Sequence, residues 1–197
     1  LTLKERVNVA EFTFPLSATS PLGGVDLTHG QNRIRERPDL AIVSVATPQG
    51  GDAALARAFE ASWSLDWPAP TISTTCRGMR AIRTSPDQVL LVFPHASADA
   101  ERHVAAKLDG AGYTTEQTDA WVVLDISGPN TRSALERLCP IDFAEMPDNG
   151  AARTVMEHMG AILLRLATNQ YWLMSASSSA RSFLHAVETS FTNISDQ

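Results

Sequence analysis

A shift of 82 residues lays one part of this chain on another: Arg83 falls on Arg165, Gln88 on Gln170, Leu91 on Leu173, Ala98 on Ala180 and His103 on His185, each an identity. Self-similarity at a fixed offset implies duplicated architecture. The first copy reads as two strands around Ser85-Pro86-Asp87, the second as "VMEHMGAILLRLA" and "YWLMSAS" around Thr168-Asn169-Gln170, and a helix follows each. The spacing therefore predicts two ββα units, 76–110 and 155–191, related by a pseudo-twofold axis and linked by a strand and helix over 121–138.

The fold class that follows is α+β, with helices over one face of a largely antiparallel sheet and the other face free. The strands "VLLVFP" and "AILLRLA" are nearly continuous apolar runs, the pattern of strands covered on both faces. Neighbouring polypeptides are expected to supply the second cover.

Upstream, "AIVSVAT" (41–47) reads as a strand, and a helix over 53–62 follows Asp52 as N-cap. "WSLDWPAP" is a connection. Residues 1–40 lack a period and are broken by Pro15, Pro21, Gly23, Gly24, Gly30 and Pro38, so they read as an extended N-terminal arm ahead of a single α+β domain, 41–197. Phe12, Phe14, Leu16, Leu22 and Leu27 would give the arm its grip, either on a neighbouring subunit or on its own domain.

Composition excludes several classes. At 197 residues, 44% apolar and 19% charged, the chain suits a globular domain that buries roughly 70% of its unfolded surface. A net charge of −6 with scattered cations, 14 arginines and two lysines, argues against nucleic acid. No run approaches a membrane span, and the first residues show no leader pattern. With Cys76 and Cys139 as the only cysteines, a cytoplasmic protein is expected.

The stretch "WVVLDISGPNTRSALERLCPIDF" (121–143) offers a strand, a small-residue turn and a helix start, where a nucleophile or a phosphate cradle often sits. It lacks Gly-x-Ser-x-Gly, Gly128 stands alone, and Pro129 has no amide hydrogen to donate. Ser127 or Asn130 as cap with Pro129 near the first helical position accounts for the turn as helix initiation. His29, His95, His103, His158 and His185 show no metal-ligand spacing. Glu157-His158 would need a cleft to bring it a partner, and His185 and Glu188 could meet on one helix face. Cys139 reads as a small apolar residue, and Trp63, Trp67, Trp121 and Trp172 suit a core or a subunit contact. Arg83 and Arg165 could flank a cleft on the pseudo-twofold and clasp a carboxylate, or pair with surface acids.

With "SPL" at 20–22, "LDWPAP", "PDQVLLVFP", "LDISGPNTRSALERLCPIDF" and "YWLMSASSSARSFLHAV", nearly the whole chain resembles the gamma subunit of heterotetrameric sarcosine oxidase. That subunit is itself similar to part of the folate-binding aminomethyltransferase fold of the glycine cleavage T-protein. The resemblance implies a complex that oxidises the N-methyl group of sarcosine to give glycine, hydrogen peroxide and, with tetrahydrofolate, methylenetetrahydrofolate. It implies alpha, beta and delta subunits as partners, alpha above all, with FAD, FMN, NAD and tetrahydrofolate in alpha and beta and zinc in delta. This chain would then carry no catalytic, cofactor-binding or metal residue of its own. Two other readings stand beside it: a free-standing folate-dependent aminomethyltransferase with Asp125 as acid/base group, and a small amino-acid-binding regulatory module using Arg83 and Arg165.

Overall fold

The computed structural model describes residues 17–195. Its strands, in chain order, are β1 Asp26–His29, β2 Asn32–Glu36, β3 Leu40–Ala46, β4 Ser73–Cys76, β5 Met79–Ser85, β6 Gln88–Pro94, β7 Tyr113–Glu116, β8 Trp121–Ser127, β9 Ala151–Met156, β10 Met159–Ala167 and β11 Gln170–Ala176. The helices are α1 Asp52–Trp63, α2 Ala100–Leu108, α3 Thr131–Glu136 and α4 Ala180–Ser195. The strands form two antiparallel sheets, β4-β5-β6-β3-β7 and β1-β2-β8-β11-β10-β9.

The apolar runs are explained by where their alternate residues go. In β6, Val89, Leu91 and Phe93 face a core shared with Leu55 and Phe59 of α1 and Val104 and Leu108 of α2. Leu90 and Val92 turn the other way, into a core with Ile162 and Leu164 of β10 and Met174 of β11. In β10, Ala161 and Leu163 pack beneath α3 and α4 with Leu135, Phe183 and Val187. The two sheets thus lie face to face, each with its own helical cover, in the layer order helix, sheet, sheet, helix.

The α+β class and the internal pseudo-twofold are present, but the single sheet with a free face is not. Each sheet covers the other's inner face, because the strand period of two sends successive apolar residues to different cores. Among the described residues only Tyr113 and Val155 are large hydrophobics left exposed.

The repeat is also longer than the expected ββα. Both hairpins carry a register shift at the same place, between Arg83 and Ser85 in one and between Arg165 and Ala167 in the other. β3 stands beside β6 as β8 stands beside β11, and a helix follows each. The strand and helix at 121–138 therefore open the second copy rather than link two units. At one edge the sheets join: Ile72 bridges Gly150, the Ser73 amide donates to the Asn149 carbonyl at 2.7 Å, and the Ala151 amide donates to that of Thr71 at 2.7 Å.

Residues 26–36, expected within an extended arm, form the β1–β2 hairpin, which pairs through β2 with β8. Ile34 is fully buried, and Leu22 and Leu27 pack on the core beneath α3 and α4. These two residues grip their own domain. Phe12, Phe14 and Leu16 lie outside the described residues.

Candidate functional site

Gly128 has φ 131°, and a Cβ there would stand 2.5 Å from Asn32 Oδ1 and 2.7 Å from the Gln31 carbonyl. The space an anion would need above this turn is thus filled by the β1–β2 hairpin. Asn32, 2% exposed, accepts from the Asn130 amide at 2.9 Å and donates to the His29 carbonyl at 3.1 Å. Asn130 occupies the N-cap position of α3 without a side-chain cap bond, and the Thr131 hydroxyl donates to the Gly128 carbonyl at 2.8 Å. The turn initiates a helix as expected, but its cap comes from a residue nearly a hundred positions away.

Asp125 of β8 points between the sheets, as does Val123 two residues earlier. Its carboxylate accepts from Gln170 Nε2 at 3.0 Å and from Trp172 Nε1 at 3.1 Å. Arg37 Nη1 approaches it at 3.6 Å. Arg37 is held in turn by a fork on Asp39, at 2.8 and 2.7 Å, and this pairing raises its already high pKa while lowering that of Asp39. The Arg37 guanidinium lies 5.4 Å from the Trp172 ring centroid, and that of Arg80 lies 5.9 Å from it.

Arg80 is reached from the seam between the sheets, where its Nη1 donates to Ser73 Oγ and Asn149 Oδ1, both at 2.8 Å. Half-buried, it makes no ion pair among the described residues, and desolvation lowers its pKa. Asp125, Arg37, Arg80, Gln170 and Trp172 form a polar cluster in which Arg80 has no acidic partner among the described residues. Arg37 and Arg80 were not singled out in the sequence, where nothing distinguishes them from the other arginines.

Arg83 and Arg165 are each engaged within their own half. Each sits at its hairpin's register shift and ties down the connection between the repeat's first helix and its hairpin: Arg83 donates to the Pro68 carbonyl at 3.2 Å there, and to the Pro86 carbonyl of the β5–β6 turn at 2.6 Å. Arg165 donates to the Met146 carbonyl and pairs with Asp148 at 3.0 Å. Cys139 is buried, and burial pushes its thiol up to about 11. Glu188 meets His29 of β1 at 3.7 Å rather than His185. Trp63 and Trp67 stand edge-on to Phe59 in the core beneath α1 and α2.

Glu157 and His158 form the two-residue turn between β9 and β10, with φ of 44° and 67°. The cleft that this pair required exists for Glu157: a groove of about 400 Å³ is lined by Glu157, Met159, Arg137 and His185. A second groove of about 420 Å³ is lined by Arg77, Met79, Ser64 and His103, the same places in the other half. Their histidines are the identity at 82 residues, but Glu157 in one faces its groove where Arg77 does in the other.

Comparison with solved structures places this fold. A chain of the heterotetrameric sarcosine oxidase from Corynebacterium sp. U-96, solved in complex with pyrrole 2-carboxylate, superimposes with a TM-score of 0.75 at 21% identity, over 90% of this chain and 96% of that chain. The glycine cleavage system aminomethyltransferase T from Bartonella henselae matches with a TM-score of 0.56 at 12% identity. That match takes in 81% of this chain but only 46% of the aminomethyltransferase. The fold expected from the resemblance is the fold found. No protein-family model and no curated protein matches the sequence.

Proposed function

We propose that this chain is a structural subunit of a flavin-dependent sarcosine oxidase complex, in the position the gamma subunit holds, and that it performs no bond-breaking step itself. The observation that carries this reading is the two-sided coverage: the chain matches 90% of itself to 96% of one chain of a heterotetrameric oxidase. A match to a whole subunit is what a component of such an assembly would give, whereas the chain spans under half of the aminomethyltransferase.

The internal chemistry supports it. Asp125, the acid/base candidate of a folate-dependent aminomethyltransferase, has its carboxylate engaged by Gln170, Trp172 and Arg37. The arginine pair of the amino-acid-binding module is engaged by backbone carbonyls. FAD, FMN, NAD, tetrahydrofolate and zinc would belong to the alpha, beta and delta partners. A permanent contact of this kind buries more than about 2,000 Å².

The test is to recover the tagged chain from its own cells under native conditions and record size and visible absorption. The expected result is a large yellow complex that oxidises sarcosine. A colourless monodisperse monomer would overturn the reading. If that monomer bound tetrahydrofolate, the aminomethyltransferase alternative would replace it.

A further inference from the structure

We infer that Arg80, stacked near Trp172 at the seam of the two sheets, receives an acidic side chain of a partner subunit. The inference deepens the assembly proposed above and rests on it.

Arginine offers five N–H donors in a planar fork. Arg80 spends only Nη1 on the protein, on Ser73 Oγ and Asn149 Oδ1. Its Nε and Nη2 edge, the one that matches a carboxylate bidentately, makes no hydrogen bond among the described residues. The nearby acids are already engaged: Asp39 by Arg37, Asp125 by Arg37, Gln170 and Trp172, and Asp148 by Arg165. A half-buried cation carries a desolvation cost; the bonds to Ser73 and Asn149 and the Trp172 ring offset part of it, and no acid among the described residues pairs with Arg80.

The seat is rigid. Arg80 lies on β5, paired with Thr75 of β4 and Val92 of β6, and Asn149 is fixed by the bridge that joins the sheets. Neither groove described above includes Arg80 or Trp172, so the position suits a carboxylate carried in on a protein surface. Arginine is among the residues on which binding energy concentrates at interfaces, and Arg80 keeps part of its surface exposed while Trp172 backs it from the core.

The test compares full-length wild type with Arg80→Met and Arg80→Lys in the assembled complex. The rate at which labelled chain leaves the preformed complex is measured, and thermal unfolding of each chain alone controls for folding. Removing one partner of a desolvated charge pair is expected to speed dissociation roughly 30-fold or more. Arg80→Lys, which keeps the charge but not the fork, should fall between, and the speeding should exceed any melting shift of the isolated chains from the lost bonds to Ser73 and Asn149.

Dissociation at the wild-type rate in both variants would overturn the inference and leave the assembly reading standing. If wild type itself joins no flavoprotein, that reading fails and this inference fails with it. A third arm titrates sodium acetate against chloride at matched ionic strength on the isolated chain. Stabilisation by millimolar acetate that Arg80→Met abolishes would assign the site to a free carboxylate and overturn the partner assignment.

Discussion

Gly128 and Asn32 are in contact at a place where neither residue type advertises the other. Replacing Gly128 with Ala would force a Cβ within 2.7 Å of the hairpin backbone at a φ of 131°. The expected loss is about 2–3 kcal/mol, read as a fall in melting temperature of roughly 5–10 °C. Glu36 is 2% exposed and accepts from Ser20 Oγ at 2.9 Å, the Leu22 amide at 3.1 Å and the Gly24 amide at 2.6 Å. Glu36→Ala should cost about 2–4 kcal/mol through these lost bonds, and hydrogen exchange should quicken at Leu22 and Gly24. The burial of Cys139 predicts that a thiol reagent modifies Cys76 in the native protein and Cys139 only after unfolding. The sign of the linkage is fixed: a thiol raised from 9.0 to about 11 keeps its proton longer when folded. Its contribution to stability is complete below pH 9 and is lost as the pH rises towards 11, which alkaline unfolding of wild type and Cys139→Ala would show. Cys139 was legible as a small apolar residue near a helix end. Glu36 and Asn32 were not, because a side chain that reaches a distant loop leaves no local period.

At the scale of elements, the β9–β10 connection places two non-glycine residues, Glu157 and His158, at positive φ. Such mirror-type hairpin turns favour Asn-Gly. The double substitution Glu157→Asn with His158→Gly should raise stability by about 1 kcal/mol, measured by denaturant midpoint at unchanged slope. The strands at 41–47 and 121–126, both long hairpins and the helix at 180–195 were readable, since each has an apolar run or face bounded by turn residues. The β1–β2 hairpin was missed although "NRIRER" alternates: Asn32, Ile34 and Glu36 are buried while Arg33 and Arg35 are exposed. The strand signal is carried by charged residues, with a single aliphatic inside, so apolar alternation does not mark it. The end of β9, Val155 and Met156, reads as one strand with β10 for a related reason, because Glu-His does not look like a turn. The polar cluster around Trp172 was legible only in Asp125 and Trp172. Its arginines come from β5 and from the β2–β3 turn, which only the facing of the two sheets brings together.

For the molecule as a whole, the inner core holds residues of both halves, among them Ile42, Ile82, Leu90 and Val92 from one and Val123, Ile162, Leu164 and Met174 from the other. A fragment covering residues 38–117 would bare its share of that core. It is expected to self-associate in size-exclusion chromatography, and to yield a species of native size when mixed with the two complementary segments, 1–37 and 118–197. A monomeric, cooperatively folding fragment would show that the sheet-to-sheet layer is not needed for either half. In the duplicated plan, with two sheets that face each other across an approximate axis, each half does for the other what a twin would do in a dimer: it hides the inner strands that a half alone would bare. The halves keep one architecture but differ in charge at corresponding hairpin turns: where one carries Arg77, the other carries Glu157.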